Sequence, residues 1–322
     1  MELKQVISNI EKRFGKEAIV GNKVEVEWVS SGSISLDIAL GGGYARGRVV
    51  ELFGWESSGK STLALHLSAE IQKLGLKVGY IDMENALDVF YAEQLGVKID
   101  FKNGNDFILS QPDDGETAFE IMRELLKSPE IGLIVFDSVG ALLPKAVIQG
   151  EAGDSKMGLQ ARLMSSMMPI ISQQAKKNNT IVLMINQKRE KIGVMFGNPE
   201  TTMGGNALKF YASQRLEIAR AGQEKDGEEV IANKTRVKVV KNKVAPPFRK
   251  CEFNITFGQG ISKIDEIIDL AVEYSIVEKK GSWYAYGDTK LGQGAANVKI
   301  ILQDNPELYD EIYRKILETI GL

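Results

Sequence analysis

The stretch Gly54-Trp55-Glu56-Ser57-Ser58-Gly59-Lys60-Ser61-Thr62 constrains this chain more than any other. Glycine, four residues, Gly-Lys and a hydroxyl residue form the spacing of a phosphate-binding loop. Its flanks supply the context that the motif needs. Residues 48–53 before it form a short, mostly apolar run of strand type, and Leu63, Leu67, Ile71 and Leu74 after it recur at helical spacing until Gly75. In a strand-loop-helix unit, successive loop N–H groups and the helix N-terminus face a polyphosphate, and Lys60 adds a mobile positive charge. Ser61 can give its hydroxyl to Mg²⁺, which binds through such groups together with phosphate oxygens. The stretch predicts nucleoside triphosphate binding.

At 322 residues, one large domain with smaller attachments is expected. A content of 43% hydrophobic and 26% charged residues is that of an ordinary globular chain. No run of about 18 apolar residues predicts a membrane span, and the start of the chain lacks the order of a secretory signal. Cys251 is the only cysteine, which excludes an internal disulfide and fits a reducing cytoplasm. The single histidine, His66, lies in the helix after the loop and reads as structural, because zinc needs more ligands. Net charge is −3, so any polyanion site must be a local patch. One candidate exists: between Asn233 and Lys250 stand Lys234, Arg236, Lys238, Lys241, Lys243, Arg249 and Lys250, with no acidic residue. Such a run is either a solvated face or a phosphate-binding surface.

Leu3, Val6, Ile10 and Phe14 form one stripe of an amphipathic N-terminal helix ended by Gly15. Residues 24–29 alternate in the strand period, and this strand must pair with the main domain or add to a sheet of another molecule. Apolar strand-like runs at 49–53, 77–83, 131–137 and 180–187 alternate with helical patterns at 63–74, 88–95, 116–126 and 159–177. Strands without polar alternation, separated by helices, predict an α/β domain with a mostly parallel sheet covered on both faces. The runs at 215–218, 235–240 and 252–257 follow one another without a helix, which predicts antiparallel pairing. Helical patterns at 264–274 and 307–320 flank a glycine-rich stretch, 281–294, and read as a small separate lobe. The expected division is therefore 1–30, 31–262 and 263–322.

Hydrolysis of a triphosphate needs an acid for the magnesium shell, a group that orients or deprotonates water, and cations for the developing charge. Asp137 closes a buried hydrophobic strand, the pattern of a carboxylate that acts on the metal through water. Glu84 closes another strand and could hold the attacking water, with Asp82 and Asp88 as competitors. Gln187 ends a third strand, where an amide could report on the γ-phosphate. Residues 188–205 follow, too glycine-broken for helix or strand but carrying Ile192, Val194, Met195 and Phe196. Long loops of this kind are usually functional or disordered, and apolar side chains among basic ones suit single-stranded nucleic acid. Residues 151–158 form a shorter loop of similar character.

Taken together these segments resemble the bacterial RecA recombinase family over nearly the whole chain, most specifically at Lys191–Asn198 and Asn206–Tyr211. The resemblance implies a RecA-like P-loop NTPase core with a small α+β C-terminal lobe, and a DNA-dependent ATPase that forms helical filaments on single-stranded DNA and exchanges strands with double-stranded DNA. It implies ATP and Mg²⁺, with Gly54 to Thr62 at the phosphates, Ser61 and, through water, Asp137 on the metal, Glu84 as base and Gln187 as sensor. Asp88 and Tyr91 would contact adenine. Lys241 and Lys243 would reach a neighbouring subunit's γ-phosphate. Met157, Arg162, Arg189, Met195, Phe196, Gly204 and Gly205 would touch or shape the path of the first DNA strand, and Arg220, Arg236 and Lys238 would form a weaker second DNA site. Lys209, Phe210 and Arg215 match a subunit interface, and the N-terminal helix and the 24–29 strand would dock on the next subunit. A LexA-type repressor and loading proteins are further implied partners.

The chain departs from the family at Trp55, usually proline, at Asn85 and Lys156, usually histidines, and at Ala219, usually an arginine of the second DNA site. Weaker duplex capture is expected from the last. Pro169 falls inside a helical pattern, where a kink is expected, and 102–107 reads as a short insertion. The chain ends without the acidic tail of many relatives, which leaves the regulation such tails provide in question. A hexameric motor or helicase on the same fold is the rival reading; it predicts unwinding instead of strand exchange.

Overall fold

The computed structural model describes residues 2–19, 25–101, 106–150, 158–190 and 200–321. Its centre is a ten-stranded sheet. From one edge the main path runs Gly260–Ile261, Lys250–Thr256, Glu229–Asn242, Gln214–Asp226, Val49–Gly54, Ile181–Glu190, Ile131–Asp137, Lys77–Asp82 and Phe107–Ser110. Pairing is parallel from Gln214–Asp226 to Phe107–Ser110 and antiparallel on the other side. The tenth strand, Glu200–Thr202, returns antiparallel along the end of Ile181–Glu190.

Burial on both faces explains the uninterrupted apolar strands. Leu133, Val135, Leu183 and Leu52 pack with Leu63, Leu67 and Ile71 of the helix Lys60–Lys73. Ile134, Phe136 and Met184 point the other way, onto Phe119, Met122, Met168 and Ile171 from the helices Gly115–Leu125 and Leu159–Lys177. The latter helix runs on through Pro169. A third core joins the helices Lys263–Glu273, Ala295–Asp304 and Pro306–Ile320 to a three-stranded antiparallel sheet, Glu278–Lys280, Trp283–Tyr286 and Thr289–Gln293. The glycine-rich stretch is thus a pair of tight turns at Gly281 and Gly287, both at positive φ, where a side chain would be strained.

Ile34, of the helix Ile34–Leu40, belongs to this third core. Glu266 reaches back from the lobe, accepting from Ser33 Oγ at 2.6 Å, Ile34 N at 3.1 Å and Ser35 N at 3.2 Å. A carboxylate thus satisfies N–H groups at a helix start that has no intrahelical acceptor for them.

Two expectations change, and the N-terminal helix lies exposed. The strand near 24–29 is short, Trp28–Val29, and pairs with Tyr44–Ala45 of the main domain, one of the two pairings expected for it. The helix Leu3–Phe14 buries no residue, and Leu3 and Phe14 are exposed. The segment after Gln187 is not all loop, because Lys188, Arg189 and Glu190 continue the strand and pair with Thr202, Thr201 and Glu200.

Candidate active site

The parallel strands deliver their carboxyl ends to one rim, since Gly54 lies beside Gln187 and Asp82 beside Asp137. At that rim Gly59, in the left-handed region, opens the helix Lys60–Lys73, and a Cβ on it would meet Ile255 Cδ1 at 2.6 Å. Lys60 is buried and its Nζ donates to the carbonyl oxygens of Trp55 at 2.8 Å and Gly54 at 3.4 Å. Burial pulls its pKa below the ordinary lysine value, and Asp137, Glu84 and Glu56 oppose that shift. Ser61 Oγ donates to Asp137 Oδ2 at 3.0 Å, and Tyr80 Oη donates to the same oxygen at 2.7 Å. Burial raises the Asp137 pKa against these two hydrogen bonds.

The pocket over this loop is lined by residues 57–62 together with Tyr91, Arg220, Asn233, Thr235, Ile255, Phe257 and Gly258. Among the described residues, two buried polar atoms in it, Ser58 Oγ and Asn233 Oδ1, have no hydrogen-bond partner. A polyphosphate and its nucleoside would satisfy both kinds of group, and the Ser61 hydroxyl beside a carboxylate suits a hard cation. Asn233, Thr235, Ile255, Phe257 and Gly258 were not found from sequence. They come from strands far along the chain, or, for Phe257 and Gly258, from the turn that follows one, and carry no motif; only the sheet order brings them here.

Three carboxyl-end side chains converge. Glu84 Oε1 accepts from Gln187 Nε2 at 3.3 Å and from Ser138 Oγ, so the ends of three adjacent strands meet at one carboxylate. Gln187 packs so closely on Gly140 that a Cβ there would lie 3.2 Å from its Cδ. The two competing acids have structural contacts of their own. Asp82 is buried and accepts from Glu84 N at 3.2 Å, Leu87 N at 3.1 Å and Gln111 Nε2 at 3.1 Å, which spends it on shaping the turn. Asp88 caps the helix Val89–Gln94 by accepting from Tyr91 N at 3.0 Å, and Tyr91 Oη lies 3.3 Å from Thr62 Oγ1.

Lys241 and Lys243 do not line the phosphate pocket. Lys241 Nζ donates to the carbonyls of Lys209 at 2.7 Å and Phe210 at 3.1 Å, and Lys243 Nζ to that of Phe210 at 3.4 Å. Phe210 itself is 71% exposed. Arg215 instead turns inward, its Nε 2.5 Å from Glu51 Oε2 and its guanidinium over the Phe53 ring.

Of the DNA-contact candidates, Met157, Met195 and Phe196 lie outside the described residues. Arg162 and Arg189 are exposed at the roots of 151–157 and 191–199. Gly204 and Gly205 adopt positive φ, and added Cβ atoms would meet Val139 Cγ1 at 2.9 Å and Ala161 Cβ at 2.8 Å. These glycines bring the two roots together. Arg220, Arg236 and Lys238 are not brought together. Arg220 sits opposite Thr235, on the pocket face, and its Nη2 donates to Ser57 O at 3.2 Å. Arg236 is on the other face and pairs with Glu252 at 2.6 Å, which also holds Lys234 at 2.9 Å. The basic run is therefore partly neutralised by a neighbouring strand, a pairing invisible along the sequence.

The parallel sheet, the phosphate loop and the acid at its rim define a P-loop nucleotide hydrolase. Comparison with known proteins narrows this. The RecA N-terminal domain model matches residues 1–262 and the RecA C-terminal domain model residues 265–321. The chain is 55% identical to Protein RecA of Bacteroides thetaiotaomicron over 324 residues, 99% of this chain and 97% of that one. It is 54% identical to Protein RecA of Levilactobacillus brevis over 325 residues, 99% of this chain and 85% of that one. Among solved structures, the RadB recombinase superposes with a TM-score of 0.54 at 26% identity, covering 72% of this chain and 98% of that one. The chain belongs to the RecA family, and it is a DNA-dependent ATPase of homologous recombination and DNA repair.

Proposed function

We propose that the chain assembles head to tail on single-stranded DNA, binds ATP and Mg²⁺ between neighbouring subunits, and exchanges that strand with homologous double-stranded DNA. The convergence of Glu84, Ser138 and Gln187 beside Lys60, Ser61 and Asp137 carries this reading, because the Gln187 strand runs directly into the hairpin that frames 191–199. In it Glu84 orients and deprotonates water, a role worth about 10²–10⁴ in rate. Gln187 senses the γ-phosphate, and Lys60 holds phosphate oxygens. Ser61 and, through water, Asp137 would hold Mg²⁺, whose charge would offset that of the phosphates. Lys241 and Lys243 act on the neighbour's nucleotide, which fits their absence from the pocket of their own chain. Asp88 and Tyr91 take the adenine side.

Residues 1–30 serve polymerisation, with the exposed stripe of the helix Leu3–Phe14 and the patch around Lys209 and Phe210 as the contact surfaces, and Arg215 shapes that patch from within through Glu51 and Phe53. Such a contact is heterologous and grows into an open helix. Arg162, Arg189, Met157, Met195 and Phe196 meet the first DNA strand, and Arg236 and Lys238 a second one. The 263–322 lobe, action as co-protease for a LexA-type repressor, loading partners and a cytoplasmic location complete the reading. Strand exchange between circular single-stranded and linear duplex DNA tests it: joint molecules should form with ATP and fail without it. Unwinding without exchange would instead favour the hexameric motor.

A further inference from the structure

Lys188 carries an unusual burden for a surface-type residue. Its side chain is 7% exposed, with Nζ 2.8 Å from Glu200 Oε2 and 2.5 Å from Glu217 Oε1. Register explains how it reaches both. Phe53 lies opposite Asn186 on one side and Glu217 on the other, so these three share a face of the sheet. Lys188, two residues after Asn186, points to that same face. By then the middle strand has ended at Gly54 and turned into the phosphate loop. The Lys188 ammonium spans the gap, tying the Gln187 strand to the strand of Glu217 and to Glu200 at the start of the hairpin return.

Gln187 precedes Lys188 and points to the opposite face, where it meets Glu84. We propose that Lys188 is a positioning residue, whose paired ammonium fixes the hairpin root in the register that sets the Gln187 amide against Glu84 and so couples nucleotide to DNA. This rests on the reading of Gln187 as the γ-phosphate sensor. Burial alone would lower the Lys188 pKa, and the two carboxylates more than reverse this, so the ammonium stays charged. Removing it takes the ion-pair partner from the part-buried Glu217 and cuts the tie between the Glu217 strand and the hairpin root. Loss of one member of such a pair is destabilising locally, and the severed tie lies at the hairpin root.

The test is single-stranded DNA affinity by fluorescence anisotropy, with a non-hydrolysable ATP analogue and with ADP. In the wild type the analogue should strengthen binding over ADP. Lys188→Met should shrink that ratio about tenfold while affinity in ADP stays within about twofold. Glu217→Gln should shrink it in part, and Lys188→Arg should retain it. An unchanged ratio in Lys188→Met and Glu217→Gln, or equal losses in both nucleotide states, overturns the proposal. Should Lys188→Met fail to fold, the graded order of Arg above Gln variants decides. A wild type with no nucleotide-dependent ratio overturns the sensor reading itself, and this proposal with it.

Discussion

At Glu84 both hydrogen bonds fall on Oε1, from Ser138 and Gln187, so the carboxylate is oriented before any water arrives. Glu84→Gln keeps a similar shape but cannot take a proton. ATP binding and filament formation should persist while turnover with single-stranded DNA falls about 100-fold or more; normal hydrolysis would remove Glu84 as the base. His66 yields a pH experiment. Its Nε2 accepts from Ile261 N at 3.0 Å, and burial lowers its pKa to about 4 from 6.5. The folded state therefore favours neutral His66, a contribution complete above pH 6.5 and lost as pH falls toward 4. Asp37 works in the opposite direction, because burial raises its pKa to about 6 from 3.8 and the fold gains as that carboxyl is protonated. A His66→Gln variant removes only the first effect. Its stability deficit against wild type in urea at pH 7.5 should shrink by roughly 2 kcal/mol at pH 4.5, and a constant deficit would mean that His66 is not held neutral. Sequence reached Lys60, Ser61, Asp137 and Glu84 because each sits at a strand or helix end with a defined chemical role. It passed over Ser138, Asn233 and Phe257, whose roles exist only once distant strands are neighbours.

Among elements, the helix Ile34–Leu40 depends on a residue 232 positions after its first. Glu266→Ala would strand buried donors of Ser33, Ile34 and Ser35. The expected loss is about 2–4 kcal/mol, read by urea unfolding, with faster proteolysis at both the lobe and this helix; a loss confined to the lobe would show that the helix holds without its cap. Periodicity located the long elements well, as with Leu159–Lys177, because one buried face over many turns writes a clear pattern. It missed Ile34–Leu40, Phe107–Ser110 and Ala295–Asp304. The first two are too short to set a period, and the third is nearly as apolar on its flanks as on its buried side.

For the molecule as a whole, a net charge of −3 means that DNA affinity must come from local cations. Binding should weaken steeply with salt through counterion release, and a flat response between 50 and 200 mM would contradict phosphate contacts at Arg162 and Arg189. Trans action has its own test. Lys60→Ala and Lys241→Ala subunits, inactive alone, should partly recover turnover when mixed, because some junctions then hold two intact halves; no recovery at any ratio would place both lysines in one site. The parallel half of the sheet was legible from its apolar runs, whereas the sharing of one face by Glu51, Lys188, Arg215 and Glu217 was not. Finally, Lys241 leans on the carbonyls of Lys209 and Phe210. A geneticist seeking separation-of-function alleles at this patch should find them: both acceptors are main-chain carbonyls, so Phe210→Ala would remove the exposed ring and leave the lysine's hold in place.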